Sequence, residues 1–564
     1  MRHNIRVFAL AFTTMFVACT LAGNAQSFQT RHMRDAVLNG ETPQTGNLSS
    51  SRVMQLDVVL PLRDPEGLDQ FLSDLYNPYS VNYQHYLTPQ EFTERFGPTQ
   101  ADYETAVKYL KAHGFSIAGG SRDGMDIQVK ASVAVIEKTF SVTMHTYQHP
   151  TENRTFFAPD REPVTDLPFA LWHISGLDNF SVPKPRMVKR GEYADAHGIT
   201  PEEAVKHATT GSGPSASFLG SDMRAAYYGG SLTGAGQTVG LLEYYGTDLA
   251  DLTAYYKNIG KTNTVPITLD SVDGTSTSCL YSSGCDDGEQ NLDMTQVLGM
   301  APGLAHLVVF VGSTDTAIIS AMTTYSPLPS TIGCSWGWTP ADSSTLDPYF
   351  KKMAAQGQNF FVASGDDSTW TKTGNAAAWP GDDANVVTVG GTDLITASAG
   401  GAWKSETAWA DSGGGISPDK IAIPSWQKLS GVINSSNKGS TTYRNGPDVS
   451  ANADFTFYTC DDQGSDPNYS GECGANVYGG TSFAAPMWAA YVALVNQQRV
   501  ANSKSAIGFL NPYLYAIGTG SNYKSDFHDI TSGKSGSYSA VTGYDLVTGW
   551  GTPNSGLFSA LVNE

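Results

Sequence analysis

The chain has 564 residues, 40% hydrophobic and 16% charged, a balance that describes globular domains and excludes a disordered protein. That length exceeds one ordinary core, so at least two folded units are expected. The formal net charge of −20 is concentrated from Ser215 onward, where 15 Lys and Arg stand against 31 Asp and Glu; such a surface repels polyanions and excludes nucleic acid as a partner.

The N-terminus carries Arg2 and Arg6, an apolar run from Val7 to Ala18, and small residues at Gly23 and Ala25. This pattern predicts a secretory signal peptide over residues 1–25, too short for a comfortable membrane span. No later segment approaches 18 apolar residues, so a secreted protein with no membrane segment in its mature form is expected. Export makes disulfides possible. Outside the signal, Cys279 lies close to Cys285 and Cys460 to Cys473, while Cys334 in TIGCSWGW suits a buried thiol. No cysteine or histidine spacing suggests zinc.

Residues 53 to 180 alternate strand and helix patterns. VMQLDVVLPL reads as a strand, DPEGLDQFLSDLY and TPQEFTERFG as helices, and GPTQADYETAVKYLKAHG as a helix with a Thr99 cap and a Gly114 stop. MDIQVKAS is a strand, VAVIEKTF a helix, and SVTMHTYQH with RTFFAPD a hairpin, which together make a small α+β unit. Between Asn179 and Ser215 the composition turns to Pro, Lys and Arg and then to Gly and Ser, which predicts an exposed linker open to proteolysis.

From Ser217 onward, short and nearly continuous apolar strands (QTVGLLE, AHLVVFVG, STIGCSW, NFFVASGD, NVVTVGGT) alternate with helical stretches. Strands of this kind are covered on both faces, so the unit is a parallel α/β sheet. Its active site is expected beyond the C-terminal ends of the strands. GGTSFAAP, residues 479 to 486, sets Ser482 among small residues just before a helix, where a nucleophilic hydroxyl can be held. A serine nucleophile ordinarily needs a His base. Only His306 and His528 remain after Ser215; one begins an apolar strand and the other stands in a polar loop. Carboxylates are better placed. Glu289 and Asp293 are four residues apart on one predicted helix face, where a solvated acidic face is the competing reading. Asp366 ends a buried strand in VASGD, and Glu243 ends another.

The ordered set GEQNLD, VASGD and GGTSFAAP resembles the sedolisin family of serine-carboxyl peptidases, relatives of subtilisin in fold with Glu in place of the base His. The likeness extends through SWGW, SGGGIS, PSWQ and GPDVSANAD, and residues 45–180 resemble the kumamolisin-type activation prodomain of the same family. The resemblance implies a signal peptide (1–25), a ferredoxin-like α+β prodomain (45–180), a linker with the processing site (181–214) and a peptidase domain (215–564) built on a subtilisin-like parallel sheet with helices on both faces. It makes Ser482 the nucleophile, Glu289 its general base, Asp293 the orienter of Glu289 and Asp366 the oxyanion-hole acid, with Glu243 and Trp336 in a supporting network. A Glu ionising near about pH 4.3 accepts a proton where His is already charged, and a protonated Asp366 can donate to an oxyanion. An optimum of roughly pH 3 to 5 is therefore expected.

In FHDITSGKSGSYSAVTGYDLVTGWGTPN the family resemblance implies one structural Ca²⁺ on Asp529, Ile530, Val541, Gly543 and Asp545, with Val541 standing where the family frequently has Gly. The resulting expectation is a secreted, monomeric zymogen inhibited by its own prodomain, acting on proteins or peptides. Self-cleavage is expected between Lys184 and Ser215, triggered by protonation of carboxylates at the prodomain interface. Endopeptidase is the preferred activity, and removal of N-terminal tripeptides the alternative.

Overall fold

The computed structural model describes residues 26–205, 209–280, 283–339, 343–374, 376–461 and 473–564. The predicted signal peptide lies outside them. In the N-terminal unit a four-stranded antiparallel sheet is formed by β1 (Val53–Val59), β2 (Ser116–Gly119), β3 (Asp126–Ser132) and β4 (His173–Ser175), in the order β2-β3-β1-β4. Helices α1 (Pro65–Leu75), α2 (Pro89–Arg95), α3 (Gln100–Ala112) and α4 (Val133–Phe140) accompany it, as does a second antiparallel sheet in which the expected hairpin, Met144–Gln148 with Thr155–Pro159, pairs with Gln44–Asn47. The sequence signals act as expected. The Asp102 amide donates to Thr99 Oγ1 at 3.0 Å, and Gly114 ends α3 with φ of +96°, which glycine adopts without Cβ strain.

The second unit is an eight-stranded sheet. Its strands are β7 (Thr238–Glu243), β8 (Ile267–Ser271), β9 (His306–Val311), β10 (Thr331–Cys334), β12 (Asn359–Ala363), β13 (Val387–Thr396), β14 (Trp403–Ala408) and β15 (Val449–Asn452). The order is β8-β9-β7-β10-β12-β13-β14, with β15 also on β13, and every pairing except β13 with β14 is parallel. Register aligns the C-terminal ends: Glu243 lies opposite Val311, Leu242 opposite Cys334, and Cys334 opposite Val362. Whatever follows these strands therefore gathers on one edge. Helices α5 (Gly288–Met300) and α8 (Ala484–Ala501) are buried on one side of the sheet, while α6 (Asp315–Met322) and α7 (Ser343–Ala355) belong to the other, in the subtilisin-like layering. Cys279 is bonded to Cys285 and Cys460 to Cys473, and Cys334 is a buried free thiol. Among the described residues no helix is long and apolar enough to cross a membrane.

The two units share a core. Phe71, Leu75, Phe92 and Phe96 of the first pack in one cluster with Leu242, Phe310, Ile318, Tyr349 and Phe350 of the second. Polar contacts fix the orientation: Tyr76 donates to the Ala354 carbonyl at 2.7 Å, the Leu87 amide to the Ala355 carbonyl at 3.0 Å, and Lys351 pairs with Asp69 at 2.8 Å.

The linker corrects one expectation. It is exposed over residues 195–203 and at Val182, Lys184 and Pro185, as its composition predicts, but Arg186 is buried and residues 187–190 are half-buried. β5 (Lys184–Pro185) pairs antiparallel with β11 (Trp336–Gly337), and β6 (Val188–Lys189) pairs antiparallel with β16 (Gly474–Gly479). Arg186 between them is only 6% exposed. A polar stretch with nothing of its own to bury has been covered by a cleft in the other unit.

Candidate active site

Ser482 lies in the single turn Thr481–Phe483 that leads into α8, at the C-terminal edge of the sheet, and is fully buried. Its hydroxyl donates to the Ser335 carbonyl at a long 3.4 Å. Gly480 before it has φ of +130°, and a Cβ there would lie 2.3 Å from the Arg186 carbonyl oxygen and 2.8 Å from Asp366 Oδ2. Only glycine leaves room for a chain to pass here.

The acidic face of α5 is not solvated. Glu289 and Asp293 are both buried, with Gln290, Asn291 and Gln296 beside them, so the reading as a surface helix N-terminus fails. Asp293 Oδ1 accepts the Ser335 hydroxyl at 2.7 Å, and Glu243 Oε2 accepts Trp336 Nε1 at 2.8 Å. The remaining oxygens of Glu243 and Asp293, and both of Glu289, are buried and bond through one another and to the Ser482 hydroxyl. Burial, reinforced by the charge of Asp293, holds the Glu289 and Glu243 carboxyls well above the usual carboxylate range. Burial pushes Asp293 up to about 8 against hydrogen bonds from Ser335, Glu243 and Glu289, and the Ser482 hydroxyl favours the ionised form of Glu289. Three carboxyls this close cannot all ionise, so they share protons.

Asp366 follows β12 after a glycine at φ of +107°. Its Oδ1 accepts both the amide and the hydroxyl of Thr481 at 2.8 Å, while Oδ2 is buried without a partner. Burial raises this carboxyl to about 7, against the Thr481 donors and the Arg186 charge. It is therefore protonated in acid, with its free oxygen beside the Arg186 carbonyl. The arrangement can hold a hydroxyl near a carboxyl that takes its proton, and can offer two donors, the Ser482 amide and the Asp366 carboxyl, to one carbonyl oxygen.

The two histidines are elsewhere. His306 begins β9 at the opposite end of its strand and bonds Thr268 Oγ1 at 2.6 Å. His528 stacks on Trp403 with ring centroids 3.8 Å apart, and burial lowers its pKa to about 4. Sequence reasoning missed Ser335 and Thr481 as fixing groups, although both stand inside motifs it singled out, SWGW and GGTS; for Arg186 it had no signal.

Asp529, Ile530, Val541, Gly543 and Asp545 converge in one loop cluster. Asp529 Oδ1 accepts the Gly543 amide at 3.0 Å and the Tyr523 hydroxyl at 2.9 Å, and Asp545 Oδ2 accepts the Val541 amide at 2.9 Å. Asp545 is fully buried, and among the described residues neither carboxylate has a Lys or Arg partner. The φ of Val541 is not positive, so its side chain is no obstacle to a carbonyl turned inward. Asp545 Oδ1 also accepts the Val547 and Thr548 amides at 2.9 and 2.8 Å; two carboxylates held this way without a cationic side chain suit a hard cation. Among the described residues no group of three His, Cys, Asp or Glu side chains forms a metal cluster.

Residues 41–180 match the family model described as the Pro-kumamolisin activation domain, and residues 282–507 that of the Subtilase family. Kumamolisin of Bacillus sp. (strain MN-32) is 29% identical over 83% of this chain and 84% of its own. A tripeptidyl-peptidase of Arthroderma otae is 23% identical over 89% of this chain and 91% of its own. The solved structure of Pseudomonas sedolisin, a serine-carboxyl proteinase complexed with pseudo-iodotyrostatin, superposes with a TM-score of 0.50 at 27% identity, covering 63% of this chain and 99% of that one.

Proposed function

Because the chain belongs to the sedolisin family of serine peptidases and carries its activation domain, we propose that it is a secreted, acid-active endopeptidase that removes its own prodomain. Ser482 is the nucleophile. Glu289, ionised when the shared protons rest on Asp293 and Glu243, accepts the hydroxyl proton and later gives it to the leaving amine, those two carboxyls hold it in place, and protonated Asp366 with the Ser482 amide stabilises the oxyanion. The intact prodomain and linker keep substrate out of the cleft.

One observation carries the endopeptidase reading: the chain lying against Ser482 continues on both sides of it, through β5 and the whole N-terminal unit in one direction and through β6 in the other. A cleft closed to all but three residues before the cut would not admit that path. Mass spectrometry of an unstructured protein digested at about pH 4 tests it; internal cuts are expected, and a ladder of tripeptides overturns it.

One Ca²⁺ would be held by the Asp529 and Asp545 carboxylates and the carbonyls of Ile530, Val541 and Gly543, neutralising charge that the fold has buried. Chelation is expected to lower the melting temperature, and restoring Ca²⁺ but not Mg²⁺ to recover it.

A further inference from the structure

The start of the linker lies in the site as a substrate would. The Arg186 amide donates to the Ser335 carbonyl at 2.8 Å, and the Ser482 amide donates to the Arg186 carbonyl oxygen at 3.0 Å. That oxygen shares the face of Gly480 with the unpartnered Oδ2 of Asp366. The strands on either side, β5 on β11 and β6 on β16, hold the Arg186 peptide between two antiparallel pairings. The Arg186 side chain is swallowed: Nη2 donates to the Ala377 carbonyl at 2.6 Å, and a Cβ on Gly337 would lie 1.9 Å from the same nitrogen. Asp367 supplies negative charge near it, while Asp366 is neutral in acid. On the other side of the bond, Met187 Cε lies 3.3 Å from where a Cβ on Gly288 would be, next to Glu289. Lys189 anchors the departing strand to Asp286 at 3.3 Å and Asp461 at 3.8 Å.

We propose that Arg186–Met187 is the bond this enzyme cleaves in its own chain, selected by a pocket lined by Gly337, Gly365 and Ala377 that takes a basic side chain. The inference rests on the proposed roles of Ser482 and Glu289. Ser482 Oγ bonds to the Arg186 carbonyl carbon as its proton passes to Glu289. The C–N bond to Met187 then breaks, and Glu289 returns that proton to the Met187 nitrogen, leaving an acyl-enzyme on Arg186 and a new N-terminus at Met187. Water, deprotonated by Glu289, attacks the ester; a free Arg186 carboxyl and the Ser482 hydroxyl are restored. Because the segment already occupies the site of its own chain, the first turnover is intramolecular.

The test is a time course of the full-length protein shifted to about pH 4, read by intact mass and N-terminal sequencing, with Ser482→Ala as control. The earliest product is expected to begin at Met187, at a rate independent of protein concentration. Arg186→Ala should slow its appearance about 10- to 100-fold and Arg186→Lys far less, since the pocket reads charge and length. An earliest Ser482-dependent product that begins elsewhere, or an Arg186→Ala chain cut there as fast as wild type, overturns the inference while leaving the peptidase reading intact. Cleavage that persists in Ser482→Ala overturns the peptidase reading itself. Sequencing the wild-type product decides the bond even where a variant fails to fold.

Discussion

Two clusters of buried carboxyls lie about the same sheet, and they do different things. Glu243, Glu289 and Asp293 stand behind Ser482 where a chain crosses the cleft. Asp57 of β1 and Asp126 of β3 are sealed between the N-terminal unit and helices α6 and α7, facing Asp315, Thr316, Ser320, Lys352 and Tyr349. Burial raises the carboxyls of both clusters. The second has hydroxyls too, those of Thr316 and Ser320, but only the first stands where a chain lies across a serine, so a perturbed carboxyl marks chemistry only where a substrate can approach.

The interface pair also bears on activation. An acid whose folded pKa is raised contributes stability that is fully present below its unfolded value, about 3.9 for Asp, and is lost as pH rises through the folded value. At Asp57 and Asp126 acidification therefore tightens the interface, whereas the Lys351–Asp69 pair across it depends on an ionised carboxylate and acts in the opposite sense. Lys352, which burial pushes down to about 7, costs stability only as pH falls from its unfolded value of about 10.4 to about 7, and adds no dependence in acid.

Ser482→Ala should abolish both processing and protein hydrolysis, a loss of at least about 10³-fold; gel and product assays at about pH 4 read it. Glu289→Gln keeps the shape and removes the base, with an expected loss of about 10²- to 10⁴-fold in turnover. Asp366→Asn is subtler. Wild-type processing should fall as pH rises through about 7, where Asp366 loses the proton it donates; Asn keeps a donor at every pH, so this alkaline limb should disappear at a cost of roughly 10-fold in peak rate. At the other cluster the effect is smallest and has no kinetic part. In the Ser482→Ala background, Asp57→Asn should raise the melting temperature at pH 7 more than at about pH 4, because it removes the carboxyl whose ionisation is disfavoured. An equal shift at both pH values would show that Asp57 is not what titrates there.

Much of the fold was legible because its signals are local. The Thr99 cap, the Gly114 stop, the apolar runs of β7, β9, β10 and β12, and the helical spacing of Glu289 and Asp293 each act within a few residues, and the structure reproduces them. Ser482, Glu289, Asp293 and Asp366 were each a candidate as the end of a strand or part of a helix start, but it is the resemblance of GEQNLD, VASGD and GGTSFAAP to the sedolisin family that joins them into one site. The acidic face of α5 was ambiguous, since spacing cannot tell a solvated face from one buried under α8.

What the sequence alone determined is the set of elements and the chemistry available to them: a hydroxyl, several acids and no well-placed imidazole. Only the tertiary structure decided which acids lose their water, and which stretch of a polar, Pro- and Arg-rich linker lies across Ser482. Burial and cleft occupancy are made by residues far apart in the chain. Nothing in PKPRMVKR distinguishes Arg186 from Arg190 until Ser335, Gly337, Ala377 and Ser482 close around one of them.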